Sequence, residues 1–317
     1  MGQLVNGRWQ ADDVFVDETD GRFKRKDSQF RNWVTADGEA GPSGEGGFRA
    51  ESGRYHLYVS LACPWAHRTL IMRRLKGLEP MIGVSTVHWL MRDKGWTFAP
   101  GPDVTGDPIH GADYLHQVYT AADPGYTGKV TVPVLWDKTR ETIVSNESAD
   151  IIRMFNGAFD GLGAAVGDFY PDDLRPEIDA LNDRIYATVN NGVYRAGFAA
   201  NQDAYDEAVG PLFESLDWLE ARLTRSTWLT GDRLTEADIR LFTTLIRFDL
   251  VYHGHFKCNL RRIVDYPALA RYVRAIHGLP GVSETVNVEH IKRHYYQSHR
   301  QINPSGVVPV GPAEDWR

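Results

Sequence analysis

Apolar and polar positions change rhythm twice along this chain. Residues 1–50 are polar and Gly-rich with little periodicity, and read as an extended arm or irregular lead-in. From Arg54 to Leu61 (RYHLYVSL), Tyr55, Leu57 and Val59 alternate among β-forming neighbours, which predicts a strand. Leu70, Ile71, Arg74, Leu75 and Leu78 then recur at three- and four-residue spacing, and Gly77 marks the end of that helix. Ile82–Val87 reads as a second strand, so strand, helix and strand follow one another as a βαβ unit with parallel strands. The stretch Trp89–Asp113 is long for a connection inside a compact domain and reads as functional or lid-like. A short helix over Leu115–Ala122 comes next, followed by a strand pair at Thr131–Asp137 and Thr142–Val144. A helix then starts near Glu147, with Ser148 placed to cap it.

From about residue 172 the pattern becomes helical throughout. Ile178, Leu181, Ile185 and Val189 share one face of a predicted helix over Leu174–Ala199, and Val209, Leu212, Leu216 and Leu219 one face of Tyr205–Leu223. Thr235–Tyr252, Pro267–His277 and Val288–His299 complete the series, and Thr235 with Asp238 forms a capping box at the start of the first of these. An α/β half followed by an all-α half is the thioredoxin-like layout with an added helical domain. The expected division is an N-terminal extension (1–50), a thioredoxin-like domain (51–160) and an all-helical C-terminal domain with its tail (172–317).

Composition narrows the function without naming it. Of 317 residues, 42% are hydrophobic and 24% charged, which suits a globular chain that needs no metal or disulfide to fold. A net charge of -7 argues against nucleic-acid partners, which select a basic face. No apolar run is long enough for a membrane span, and the N-terminus carries no basic and apolar signal pattern, so the reading places the chain in the reducing cytoplasm.

One of the two cysteines carries the candidate chemistry. Cys63, in SLACPWAHR, falls where the first predicted strand ends and the helix begins. Unpaired N–H groups and the positive end of the helix dipole stabilise an anion there, so a thiol loses its proton more easily. Pro64 suits the first helical turn, where its missing N–H costs nothing. A dithiol oxidoreductase needs a second cysteine at position 66, but Ala66 stands there, so a mixed disulfide on Cys63 must be resolved by a thiol from solution, glutathione in a cytosol. Val132-Pro133 opens a strand, where proline marks an edge or a turn and can carry a cis bond. Glu147-Ser148 opens a helix whose N–H groups and hydroxyl suit a carboxylate. Cys258 lies near Lys257, Arg261 and Arg262 but lacks the strand-to-helix setting, and reads as a non-catalytic thiol. His290 and His294, four apart, and His253-x-His255 raise a metal site as a rival, but H-E-x-x-H is missing and no metal is expected.

Across these motifs the chain resembles the glutathionyl-hydroquinone reductases, the Xi class of glutathione transferases, over nearly its whole length. SLACPWAHR, RDKGWTF, VPVLWD, TIVSNES, TEADIRLF and HYYQSH carry the likeness. It implies a thioredoxin-like domain with a glutathione-transferase helical domain, glutathione as co-substrate, and a homodimer. It implies that Cys63 is the nucleophile, that Trp96 lies over the glutathione site, and that Val132 pairs its backbone with the cysteinyl part. It also implies that Glu147 and Ser148 hold the γ-glutamyl end, with Lys129 near a carboxylate. Tyr194, Tyr252 and Tyr295 match tyrosines that line an aromatic pocket and bond quinol hydroxyls. The alternatives are an omega-type thioltransferase or dehydroascorbate reductase, and a non-catalytic binding module on the same fold.

Overall fold

The computed structural model describes residues 2–11 and 20–313. These residues fall into two compact units, one built from 2–11, 26–167 and 285–290, the other from 20–25, 168–284 and 291–313.

The first unit opens on a structure the sequence pattern did not suggest. Strands β1 (Gly2–Val5) and β2 (Arg8–Ala11) pair antiparallel, Leu4 opposite Trp9. Asn6 and Gly7, both at positive φ, form the turn, the backbone a two-residue hairpin needs. The expectation of an extended arm or irregular lead-in is corrected at 2–11, where four-residue strands are too short for a periodic signal, while 26–50 hold only isolated bridges. The central sheet has the order β4-β3-β5-β6, from β3 (Tyr55–Val59), β4 (Gly83–Thr86), β5 (Val134–Asp137) and β6 (Thr142–Ser145). β3 runs parallel to β4 and antiparallel to β5, which pairs antiparallel with β6.

All five residues of β3 are buried, not only the alternating set. The polar members are satisfied on the far face: the His56 ring meets Ser85 Oγ at 2.8 Å, and Tyr58 Oη donates to Asp107 Oδ1 at 2.8 Å. Asp107 also accepts from the backbone N–H groups of Ile109 and Ala112, at 3.0 and 3.2 Å. That one carboxylate therefore fixes the 107–112 turn of the long 89–113 segment against β3. Helices α1 (Pro64–Leu75), α2 (Leu115–Ala122) and α3 (Ser148–Gly157) complete the unit.

The second unit is helical: α4 (Arg175–Ile185), α5 (Gly192–Gly197), α6 (Gln202–Leu223), α7 (Glu236–Arg247) and α8 (Pro267–His277), with the last helix, α9 (Val288–Ser298), contributing residues from 291 onward. Two predicted helices are interrupted. Tyr186–Asn190 and Phe248–Tyr252 each wind as a wider π turn, so Leu174–Ala199 and Thr235–Tyr252 are not single α-helices. A π turn inserts a residue and re-aims the side chains beyond it, a device common at functional sites. Among the described residues, no helix is long and apolar enough to cross a membrane.

Candidate active site

Cys63 is the N-cap of α1, with Pro64 as the first helical residue. Its sulfur accepts from the Ala66 N–H at 3.5 Å, so the thiol sits against the exposed amides of the first turn. The same sulfur lies 3.6 Å from the Val132 carbonyl, to which the thiol donates. The Val132-Pro133 peptide is cis, as the strand-start proline allowed. Cys63 is half-buried, and both cysteines are thiols.

Glu147, not Ser148, caps α3: its carboxylate accepts from the Ala149 N–H at 3.0 Å, and Ser148 is the first helical residue. The predicted cap is thus one residue off: the Glu147 carboxylate reaches forward to the second amide of the helix, which makes Ser148 its first residue. Ser148 is buried, with its hydroxyl 3.4 Å from Glu147 Oε1 and 3.4 Å from Arg68 Nη1. Arg68, itself 2% exposed, lies with its guanidinium over the Trp65 ring and brings a cation from α1 to the start of α3. The arm after residue 26 completes this corner. Ser28 donates to Glu147 Oε2 at 3.1 Å, Phe30 N–H to Asn146 Oδ1 at 3.2 Å, and Arg31 forms an ion pair with Asp150.

A buried tyrosine ties the Val132 strand to the Glu147 turn. Tyr119 Oη donates to the Thr131 carbonyl at 2.8 Å and accepts from Thr131 N–H at 3.2 Å and Asn146 Nδ2 at 3.1 Å. Neither Tyr119 nor Arg68 stands out in the sequence: each sits on an apolar helix face, and only tertiary pairing shows what its polar end reaches. Trp96 is 7% exposed, and its carbonyl accepts from Leu115 N–H at the start of α2. Lys129 is half-buried beside the strand lead-in, its carbonyl accepting from Tyr126 Oη at 3.2 Å.

In the helical unit the three tyrosines meet through their hydroxyls. Tyr295 Oη lies 2.5 Å from Tyr194 Oη and 2.9 Å from Tyr252 Oη. Tyr252 ends one π turn and Tyr194 follows the other closely, so both departures from α-helix serve this cluster. Tyr252 and Tyr295 are buried, and burial pushes both phenols well above their ordinary value, so they remain neutral hydrogen-bond donors; the Arg247 guanidinium opposes that shift. Tyr194 is half-buried. Tyr295, not Tyr296, joins the cluster; the Tyr296 ring packs on His255 with centroids 4.8 Å apart. Cys258 is fully buried, and burial pushes its thiol up despite the neighbouring Lys257, which removes it from thiolate chemistry. The histidines of the metal rival are engaged otherwise: His290 Nε2 meets the Pro102 carbonyl at 2.8 Å, and His255 meets His299 at 3.2 Å. No group of metal-competent side chains occurs among the described residues.

Comparison with known proteins gives this geometry its family. Residues 62–158 match the glutathione S-transferase N-terminal domain, and residues 202–275 the C-terminal domain. The chain is 59% identical over 314 residues to glutathionyl-hydroquinone reductase PcpF of Sphingobium chlorophenolicum, covering 99% of this chain and 97% of that protein. It is 60% identical over 316 residues to glutathionyl-hydroquinone reductase YqjG of Escherichia coli, covering 99% and 96%. The chain belongs to the glutathionyl-hydroquinone reductases, within the glutathione transferases. The glutathione-bound structure of the E. coli protein superposes with a TM-score of 0.93 at 58% identity, over 99% of this chain and 97% of that one. The glutathione transferase Xi of Phanerochaete chrysosporium gives 0.89 at 53% identity, over 93% and 94%. As in other glutathione transferases, a thioredoxin-like unit carries the cysteine helix and a helical unit follows.

Proposed function

We propose that this chain is a glutathione-dependent reductase of glutathionyl-hydroquinones, with Cys63 as its nucleophile. The observation that carries the reading is the Cys63 sulfur at the N-cap of α1, in contact with the Ala66 amide and the Val132 carbonyl, with alanine in the place of a resolving thiol. High identity to two glutathionyl-hydroquinone reductases supports it.

The Cys63 thiolate attacks the glutathionyl sulfur of the thioether. The sulfur–aryl bond breaks, the ring carbon keeps the electron pair and takes a proton, and free hydroquinone leaves. Cys63 then carries glutathione as a disulfide. A second glutathione thiolate attacks the glutathionyl sulfur, releasing glutathione disulfide and restoring the Cys63 thiolate. Each turnover consumes one free glutathione, joins its sulfur to the glutathionyl sulfur of the conjugate as a disulfide, and reduces one carbon–sulfur bond to carbon–hydrogen. In this reading Val132 holds the cysteinyl backbone and Trp96 covers the tripeptide. Glu147 and Ser148 take the γ-glutamyl end, Lys129 a carboxylate, and Tyr194, Tyr252 and Tyr295 orient the ring and supply its proton. The same resemblance supports a homodimer, which sedimentation equilibrium tests.

Activity against glutathionyl-hydroquinones, measured beside conjugation of a chlorodinitrobenzene, should show reduction with little conjugation. Strong conjugation without reduction would refute the assignment. Among the tyrosines, Tyr194→Phe and Tyr252→Phe each remove the hydroxyl contact to Tyr295, worth about 0.5–1.5 kcal/mol, and should lower kcat/KM for the quinol conjugate about 2- to 12-fold. Tyr295→Phe removes the hydroxyl that meets both others and should cost more. Glutathione affinity should hold in all three, and kinetics equal to wild type in all three would move the aromatic pocket elsewhere.

A further inference from the structure

The N-terminal hairpin has no role in the chemistry above, yet its one aromatic side chain ends on the Trp96 turn. Trp9, in β2, donates its indole N–H to the Asp93 carbonyl at 2.7 Å. Its ring lies against Gly95, the residue before Trp96. Gly95 stands at φ +75°, and a methyl group built there would come within 2.8 Å of the indole. On the hairpin side the ring crowds Gly2 in the same way, at 2.5 Å. The indole also stacks on His116 of α2, centroids 4.8 Å apart, and His116 stacks on Tyr114 at 5.4 Å. Two glycines and a stacked imidazole thus make a slot of tryptophan shape, closed by a hydrogen bond to the turn.

The hairpin is itself anchored next to a second candidate glutathione residue. Leu4 and Gly128 exchange both backbone hydrogen bonds at 2.9 Å, immediately before Lys129. Gly7 N–H donates to the Tyr126 carbonyl at 3.0 Å, and Asn6 N–H to Thr127 Oγ1 at 2.8 Å. The far side of the Trp96 segment is held separately, by Leu115 N–H on the Trp96 carbonyl and His88 N–H on the Thr97 carbonyl. The hairpin therefore bridges two loops that the sheet does not connect, and the turn from Arg92 to Gly95 has Trp9 as its support from that side.

We infer that the N-terminal hairpin is a clamp for the glutathione site, with Trp9 the positioning residue that sets the Trp96 turn against the segment bearing Lys129. This rests on the reading of Trp96 as a glutathione contact. A loop held in its binding conformation pays less ordering cost on binding, so the clamp acts on glutathione affinity and not on the thiol. Cys63 takes its setting from α1 and Val132, neither of which the hairpin touches in these contacts.

The test is calorimetric titration of reduced glutathione into the full chain carrying Trp9→Phe, Trp9→Ala, Trp96→Ala or Trp9→Ala with Trp96→Ala. Trp9→Ala should weaken glutathione about three- to tenfold, and Trp9→Phe, which keeps a ring in the slot but loses the N–H, by less. The double variant should bind no more weakly than Trp96→Ala alone, because both substitutions remove one interaction. Iodoacetamide alkylation of Cys63 without glutathione should proceed at the wild-type rate in the Trp9 variants, which a general loosening of the fold would not allow. Wild-type affinity in Trp9→Ala alongside a weakened Trp96→Ala would overturn the clamp and leave the glutathione assignment standing, as would losses that simply add. Wild-type affinity in Trp96→Ala would overturn the assignment of Trp96, and the clamp with it.

Discussion

Cys63→Ser is expected to abolish turnover, by on the order of 10³-fold or more, since a neutral hydroxyl is a poor nucleophile toward sulfur. The position of Cys63 specifies the intermediate as well. With Ala66 in place of a resolving cysteine, exposure of the wild-type protein to a glutathionyl-hydroquinone without free glutathione should trap one glutathionyl group per chain. Mass spectrometry should find it on the peptide containing Cys63, and dithiothreitol should remove it. Cys63→Ser should lose the adduct. Cys258→Ser should keep both adduct and turnover, because that thiol is fully buried and its pKa is raised by burial. An adduct mapping to Cys258, or comparable turnover by Cys63→Ser, would sink the mechanism.

The largest expected loss of stability lies in the helical unit, at Asp238. Its carboxylate, with no exposed surface, accepts from four donors: Leu229 N–H at 2.9 Å, Thr235 N–H at 2.8 Å, the Thr235 hydroxyl at 3.2 Å and Tyr272 Oη at 3.0 Å. It joins the start of α7 to the 229 loop and to α8. Burial raises this carboxyl to about 6, and the four donors oppose the rise, which keeps it ionised at neutral pH. Asp238→Ala leaves buried donors without an acceptor, at ~1–3 kcal/mol each before relaxation, so a loss of about 3–5 kcal/mol is expected. Urea unfolding followed by circular dichroism measures it. A change below about 1 kcal/mol would mean that water or a shifted backbone replaces the carboxylate. Because the site residues named above lie elsewhere in the chain, Asp238→Ala protein that remains folded at low temperature should keep its KM for glutathione.

Much of this molecule is local enough to be read from its residues. Strand β3, helix α8 and the box Thr235–Asp238 announce themselves by alternation, a leading proline and spacing, since each depends on neighbours a few residues away. The same holds for Cys63: a strand end, a cysteine, then proline is enough to place the thiol on the first turn of a helix. What the sequence pattern missed depends on partners far along the chain, or on signals too short to show a period. Asn6-Gly7 is a strong turn signal, but its two strands hold four residues each, and Leu4 gains its outside partner only when Gly128 arrives. The π turns at Tyr186–Asn190 and Phe248–Tyr252 leave helical periodicity almost intact in the sequence, yet they re-aim the residues beyond them; only packing decides that Tyr194, Tyr252 and Tyr295 share their hydroxyls. Tyr119 reads as one more aromatic on the apolar face of a short helix. Its hydroxyl joins Thr131 to Asn146 only in the folded chain, because a hydrogen bond is directional and short-ranged and composition carries no record of which distant donors and acceptors will come within its reach.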